Sequence, residues 1–180
     1  MKIIRSVLKR LTGRFKPKPS QEDADELIVQ KLRATGVKIG RNCRIYSNDF
    51  STDPFLVTIG DNVLIAGGVK MLTHNGAARL LKAHRPLIQS FGKIEIESDC
   101  FIGENVIVLP GTHIGRGSII GAGAVVRGSV PENALVIGNP GQVVGRASLF
   151  LERLNTSPDT LDTFGLDENS RREKILGHFY

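Results

Sequence analysis

Four histidines are spread over the 180 residues of the chain. Two of them fall in one stretch, His74-Asn75-Gly76-Ala77-Ala78-Arg79-Leu80-Leu81-Lys82-Ala83-His84-Arg85-Pro86. Imidazole changes charge near neutral pH, so a histidine at the head of such a loop is a candidate for taking a proton from a reacting group. The alternative for His74 is a structural hydrogen bond. His84, between Ala83 and Arg85, has a weaker claim, to substrate contact. His113 reads as a turn residue and His178 carries no signal. A zinc enzyme needs three protein ligands converging on the metal, and the histidine spacing does not supply them. The two cysteines, Cys43 and Cys100, form no Cys-x-x-Cys pair. No metal is expected.

The elements that must position His74 announce themselves through a period of six. Ile96, Ile102, Val108, Ile114, Ile120 and Val126 follow one another at that spacing. Gly103, Gly115 and Gly121 come directly after three of them. Cys100, Val106, Thr112, Ser118, Ala124 and Val130 stand four places after each. Ile59, Ile65 and Met71 repeat the pattern earlier, and Ile39, Gly40, Cys43 and Ile45 start it. Helical faces repeat near 3.6 residues and pleated strands near 2, so neither explains a period of six. Short strands joined by tight turns and wound as a solenoid do. Three units make one coil, and each inward aliphatic stacks on its counterpart about 4.8 Å away. On this reading the glycines supply positive φ at the turns, and both cysteines are inert core residues.

The period breaks twice. Between Ile45 and Ile59 it slips around Asn48-Asp49-Phe50-Ser51-Thr52-Asp53-Pro54. A longer interruption, loop 74–93, begins at His74. Loops escape the packing demands of the coil and are where function concentrates.

The segments Ile102-Gly103-Glu104-Asn105-Val106, Leu109-Pro110-Gly111-Thr112 and Ile120-Gly121-Ala122-Gly123-Ala124-Val125-Val126 resemble the hexapeptide-repeat acyltransferases. Val130-Pro131-Glu132-Asn133 and Ile137-Gly138-Asn139-Pro140-Gly141 resemble the closing coil of their maltose, galactoside and exopolysaccharide O-acetyltransferase branch. The likeness runs from about Gly36 to Arg146. It implies an all-β solenoid, a left-handed parallel β-helix. The left hand comes from the resemblance alone, since general chirality rules favour right-handed crossovers.

The resemblance also implies an activity: transfer of an acetyl or similar short acyl group from its coenzyme A thioester to a sugar hydroxyl, in surface polysaccharide or glycoconjugate biosynthesis. His74 is then the general base. Asn75 stands where that branch carries Asp, which leaves open what orients the imidazole. The acetyl-coenzyme A candidates are Gly103, Glu104 and Ala122, through backbone near the coil edge, with Arg127 and Arg146 for the 3′-phosphate. Asp53, Asn75, Arg79 and His84, in the two interruptions, are the candidates for acceptor contacts. A homotrimer is expected, with flat prism faces packed around a three-fold axis. N-acylation of an aminosugar and a non-catalytic scaffold are the competing readings.

The remaining sequence sets the boundaries. The net charge of +6 resides in a basic arm, residues 1–19, with seven of the 24 bases and no acid before Glu22. The other 17 bases face 18 acids, so no basic body calls for nucleic acid. The arm places Ile4, Leu8, Leu11 and Phe15 on one helical stripe. It either lies on an anionic bilayer or is a disordered or oligomer-packing arm. Residues 20–36 read as a helix capped at Ser20, 37–146 as the repeat domain, and 147–180 as a partly helical, charged tail. Neither a signal peptide nor a membrane span is apparent, and a cytoplasmic location is expected.

Overall fold

The structure, a computed structural model, describes residues 21–180. The basic arm and the Ser20 cap lie outside the described residues. Helix α1 (Gln21–Ala34) leads into fourteen short strands: β1 (Lys38–Ile39), β2 (Arg44–Ile45), β3 (Val57–Ile59), β4 (Leu64–Ile65), β5 (Lys70–Met71), β6 (Ile94–Ile96), β7 (Phe101–Ile102), β8 (Ile107–Val108), β9 (His113–Ile114), β10 (Ile119–Ile120), β11 (Val125–Val126), β12 (Ser129–Val130), β13 (Ala134–Ile137) and β14 (Gln142–Arg146). Helices α2 (Ala147–Thr156) and α3 (Glu168–Phe179) complete the chain.

The strands form three sheets that the chain visits in rotation. Their orders are β1-β3-β6-β9-β12, β14-β13-β10-β7-β4-β2 and β11-β8-β5. Apart from the antiparallel β13–β14 pair, all pairings are parallel. Ile96 pairs with Ile114, Ile102 with Ile120 and Val108 with Val126. Equivalent positions thus recur every three six-residue units. Most strands are two residues long because a unit of six offers one outward and one inward residue before the next corner. The inward residue is apolar and buried, as at Ile45, Ile65, Ile102 and Ile120, and these stack into one continuous core. At one end α1 closes that core with Val29 and Leu32. Its Arg33 donates to the carbonyl oxygens of Ile39 and Gly40.

The glycines after the aliphatics do not work as expected. At the coil corners positive φ falls on Asn42, Asn62, Asp99, Asn105 and Asn133, with Ser51 in the first interruption, and on other glycines, and not on Gly103, Gly115 or Gly121. Asparagine and aspartate tolerate that region, and they add side-chain ties along the corner: Asn42 Nδ2 donates to Asn62 Oδ1 (3.2 Å) and Asn62 Nδ2 to Asp99 Oδ1 (2.8 Å). Gly103 is required for a different reason. A Cβ there would sit 2.6 Å from the Ala122 nitrogen on the next coil. Gly115 meets Glu132 at the same distance. These glycines let two coils approach.

His113 also differs from its reading as a turn residue. It lies in β9 with Nε2 2.9 Å from Glu97 Oε1 on the preceding coil. The charged tail holds a second helix, α3, whose first turn is capped by the Asp167 side chain accepting from the N–H groups of Asn169 and Ser170.

The strand register measures both interruptions. Ile39 pairs with Ile59 and Ile45 with Ile65, 20 residues apart and not 18, so the first coil carries two extra residues. Ile59, Ile65 and Met71 pair with Ile96, Ile102 and Val108, 37 residues apart, so 19 residues are inserted after β5.

Candidate active site

His74 leaves the three-stranded sheet three residues after β5. The Leu72 N–H still donates to Val108, and the Thr73 carbonyl accepts from Gly92. An antiparallel bridge between His74 and Phe91 closes the neck of the insertion. The loop between runs through a 3₁₀ turn, Gly76–Leu81, capped by Asn75, whose side-chain oxygen accepts from the Ala77 N–H. Asn75 therefore has a structural task beside its place at the site.

The slip in the first coil brings three side chains to His74. Ser51 Oγ lies 3.1 Å from Nδ1, Thr52 Oγ1 3.4 Å, and Asp53 Oδ2 3.9 Å. The Thr52 hydroxyl donates to Asp53 at 2.8 Å, which spends its proton on the carboxylate. A proton on Nδ1 would be accepted by the Ser51 and Thr52 oxygens, with the Asp53 carboxylate at 3.9 Å adding a negative charge and no hydrogen bond. Nε2 then keeps its lone pair, and no hydrogen bond to it occurs among the described residues. Sequence reasoning placed Asp53 with the acceptor and did not single out Ser51 or Thr52. The signal that could have found them was the two-residue slip in the period.

Beside His74 lies a cavity of about 480 Å³. Its lining includes Asp53, His74, Asn75, Arg79, Lys82 and Gln89. Of the four acceptor candidates, Asp53, Asn75 and Arg79 come together here. His84 is not among the residues that line the cavity. Burial pushes both cysteine thiols up, which disfavours the thiolate, Cys100 within the core and Cys43 beside it.

The coenzyme candidates flank the three-stranded sheet on two corners. Gly103 and Glu104 follow β7, and Ala122 follows β10 one coil on. Their backbone is less available than an open edge would be. Gly103 N–H donates to Ile120, Gly121 N–H to Val136, and the Glu104 carbonyl accepts from Gly123. The N–H groups hold coil to coil and are spent, whereas the Glu104 carbonyl keeps a second lone pair and Glu104 and Ala122 are exposed. At the other corner, the register places Arg127 in one column with Leu109 and Leu72. That is two coils, or about 10 Å, along the axis from the residue two before His74. Arg146 ends β14, on the six-stranded sheet. No three His, Cys, Asp or Glu side chains among the described residues group closely enough to hold a metal ion. No helix among them is long and apolar enough to cross a membrane.

Known proteins share this pattern. Residues 93–128 match the family model described as bacterial transferase hexapeptide (six repeats). The chain is 36% identical to protein CapG of Staphylococcus aureus, over 85% of this chain and 90% of CapG. It is 37% identical to the galactoside O-acetyltransferase of Escherichia coli, over 70% of each. The chain belongs to the hexapeptide-repeat acetyltransferases. A crystal structure of a hexapeptide-repeat-containing acetyltransferase from Vibrio cholerae, complexed with acetyl coenzyme A, superposes with a TM-score of 0.54. The match is 30% identical and covers 62% of this chain and 61% of that one. Among hexapeptide-repeat acetyltransferases, then, one such structure carries the acyl donor itself.

Proposed function

We propose that this protein moves an acetyl or similar short acyl group from its coenzyme A thioester to a sugar hydroxyl, in the building of a surface polysaccharide or glycoconjugate. The observation that carries the reading is the oxygen cluster around His74 Nδ1 beside an open cavity. With Nδ1 protonated, Nε2 takes the hydroxyl proton as the sugar oxygen attacks the thioester carbonyl. The carbon–sulfur bond then breaks, and the imidazolium returns its proton to the departing thiolate. The products are the sugar ester and free coenzyme A thiol.

The donor lies along the three-stranded sheet, past the exposed Glu104 and Ala122, with Arg127 and Arg146 for its 3′-phosphate. The likeness to a neighbour complexed with acetyl coenzyme A supports that donor. The likeness to a galactoside O-acetyltransferase supports a sugar acceptor. The coil winds left-handed as in the family, and three copies assemble around a three-fold axis. The test is thiol release from acetyl coenzyme A in the presence of a sugar panel, with mass spectrometry of the sugars. Acceptor-dependent release with an acetylated sugar is expected. Donor binding with no such release from any sugar would overturn the reading.

A further inference from the structure

We infer that the acceptor carries an anionic group, a carboxylate or a phosphate, and that Arg79 and Lys82 bind it. This rests on the acyltransfer reading above and names the class of acceptor for that site. From Asn62 to Ile94 the chain has no Asp or Glu, yet it holds Lys70, Arg79, Lys82, Arg85 and Lys93. Lys70 faces Asp49 at 3.8 Å. Neither Arg79 nor Lys82 has an ion pair among the described residues.

Both line the cavity beside His74, whereas Arg85 does not. They stand three residues apart at the end of the 3₁₀ turn. In that geometry residues i and i+3 eclipse, so the two cations project on one side. Like charges at this spacing repel, and an anion seated between them removes the repulsion. Guanidinium adds a planar fork that fits both carboxylate and phosphate oxygens. The one carboxylate on the lining, Asp53, already accepts from Thr52 and faces the imidazole. It does not neutralise the two cations. A site meant for a neutral sugar needs amides and hydroxyls, which Asn75, Gln89 and Ser90 supply. The two cations are surplus to that need.

The experiment compares acceptors in pairs with acetyl coenzyme A as donor: methyl glucoside with glucuronate, glucose with glucose 6-phosphate, and N-acetylglucosamine with its uridine diphosphate ester. The first two pairs place the anion on the sugar and the third places it on a nucleotide linkage. The full-length wild type is expected to favour at least one kind of anionic member at least tenfold in kcat/KM. In the double variant Arg79→Gln/Lys82→Gln that preference should fall at least tenfold, through the acceptor KM. Arg85→Gln removes the same charge from the same loop outside the cavity and should retain the preference.

Equal use of neutral and anionic sugars by the wild type would overturn the inference. So would a preference that survives in the double variant, or a rise confined to the acetyl coenzyme A KM, which would assign the cations to the donor. Equilibrium binding of the same sugars, read by calorimetry, separates the two levels of argument. Anionic sugars that bind the wild type and not the double variant, without being acetylated, would sink the acyltransfer reading and leave this one standing. Turnover with no charge preference would do the reverse.

Discussion

Asp53 Oδ2 stands 3.9 Å from His74 Nδ1 although 21 residues of chain separate the two. That is three residues more than one coil. A perfect repeat would carry Asp53 to another point on the perimeter. The two extra residues in the first coil hold Ser51, Thr52 and Asp53 against the imidazole. Asn75, the direct neighbour of His74, is occupied in capping the 3₁₀ turn. The carboxylate that sequence reasoning could not find next to His74 in the chain is next to it in space.

His74→Ala should leave the fold intact, since the side chain is half exposed at the mouth of a loop. Turnover should fall about 10²–10⁴-fold, the usual span for losing acid–base assistance. The loss should appear in kcat as well as kcat/KM, because proton transfer belongs to the transition state. Steady-state kinetics with saturating acetyl coenzyme A checks this, and a near-normal kcat would remove His74 from the role.

In the proposed mechanism Asp53 is a positioning residue, acting through His74. Asp53→Asn should lower kcat about tenfold with little change in the affinity for acetyl coenzyme A, because it loosens the tautomer and not the donor site. The discriminating measurement is a double-mutant cycle. If Asp53 acts through the imidazole, Asp53→Asn on a His74→Ala background costs almost nothing more. Additive losses would place Asp53 on the acceptor instead, as its position in the first interruption suggested.

The coil was legible because each unit of six repeats the same demand. Ile102 and Ile120 must both point inward, so the period shows in any stretch of three units. The two interruptions were legible as departures from it. What Gly103 does was not legible, because a glycine that permits positive φ and one that permits close approach look alike in sequence. Helix α3 was hidden for another reason: it has no buried face, so no apolar stripe marks it. Arg79 was named for the acceptor from the sequence, but Lys82, as much a cation of the same loop as Arg85, was not. Only the turn geometry separates the two that line the cavity from the one that does not.

Glu97 ties two coils together at the corner below β9. Its carboxyl is held below the ordinary carboxylate range by the Arg116 N–H first and by His113 second. A carboxylate depressed in the folded state contributes stability above its unfolded pKa and loses it as pH falls through the folded value. The wild type should therefore lose stability over the acid window that opens at the ordinary pKa of an unfolded carboxylate and runs down through the lowered folded value. Glu97→Gln should show a shallower fall over that window, with Asp61 and the other carboxylates supplying what remains. Urea midpoints at both ends of the window measure it. Parallel curves for the two proteins would show that Glu97 is not linked to folding.

Two glycines offer a direct test of how the coils are held apart. At Gly103 an added Cβ would lie 2.6 Å from Ala122 N, 2.8 Å from Ile120 O and 3.0 Å from Ala122 Cα. All three are backbone atoms of the next coil, so none can swing aside as a side-chain end would. Gly103→Ala must lengthen the Gly103–Ile120 hydrogen bond, now 2.8 Å, or push the coils apart, at a cost of about 1–3 kcal/mol. At Gly145, in β14, an added Cβ meets nothing within 4 Å, and the backbone is not in the positive-φ region. Gly145→Ala should gain about 0.4–1 kcal/mol by restricting the unfolded chain. The two substitutions are chemically the same, so denaturant unfolding of both isolates the packing difference. If both variants moved in the same direction, close approach between coils would not be the reason for Gly103.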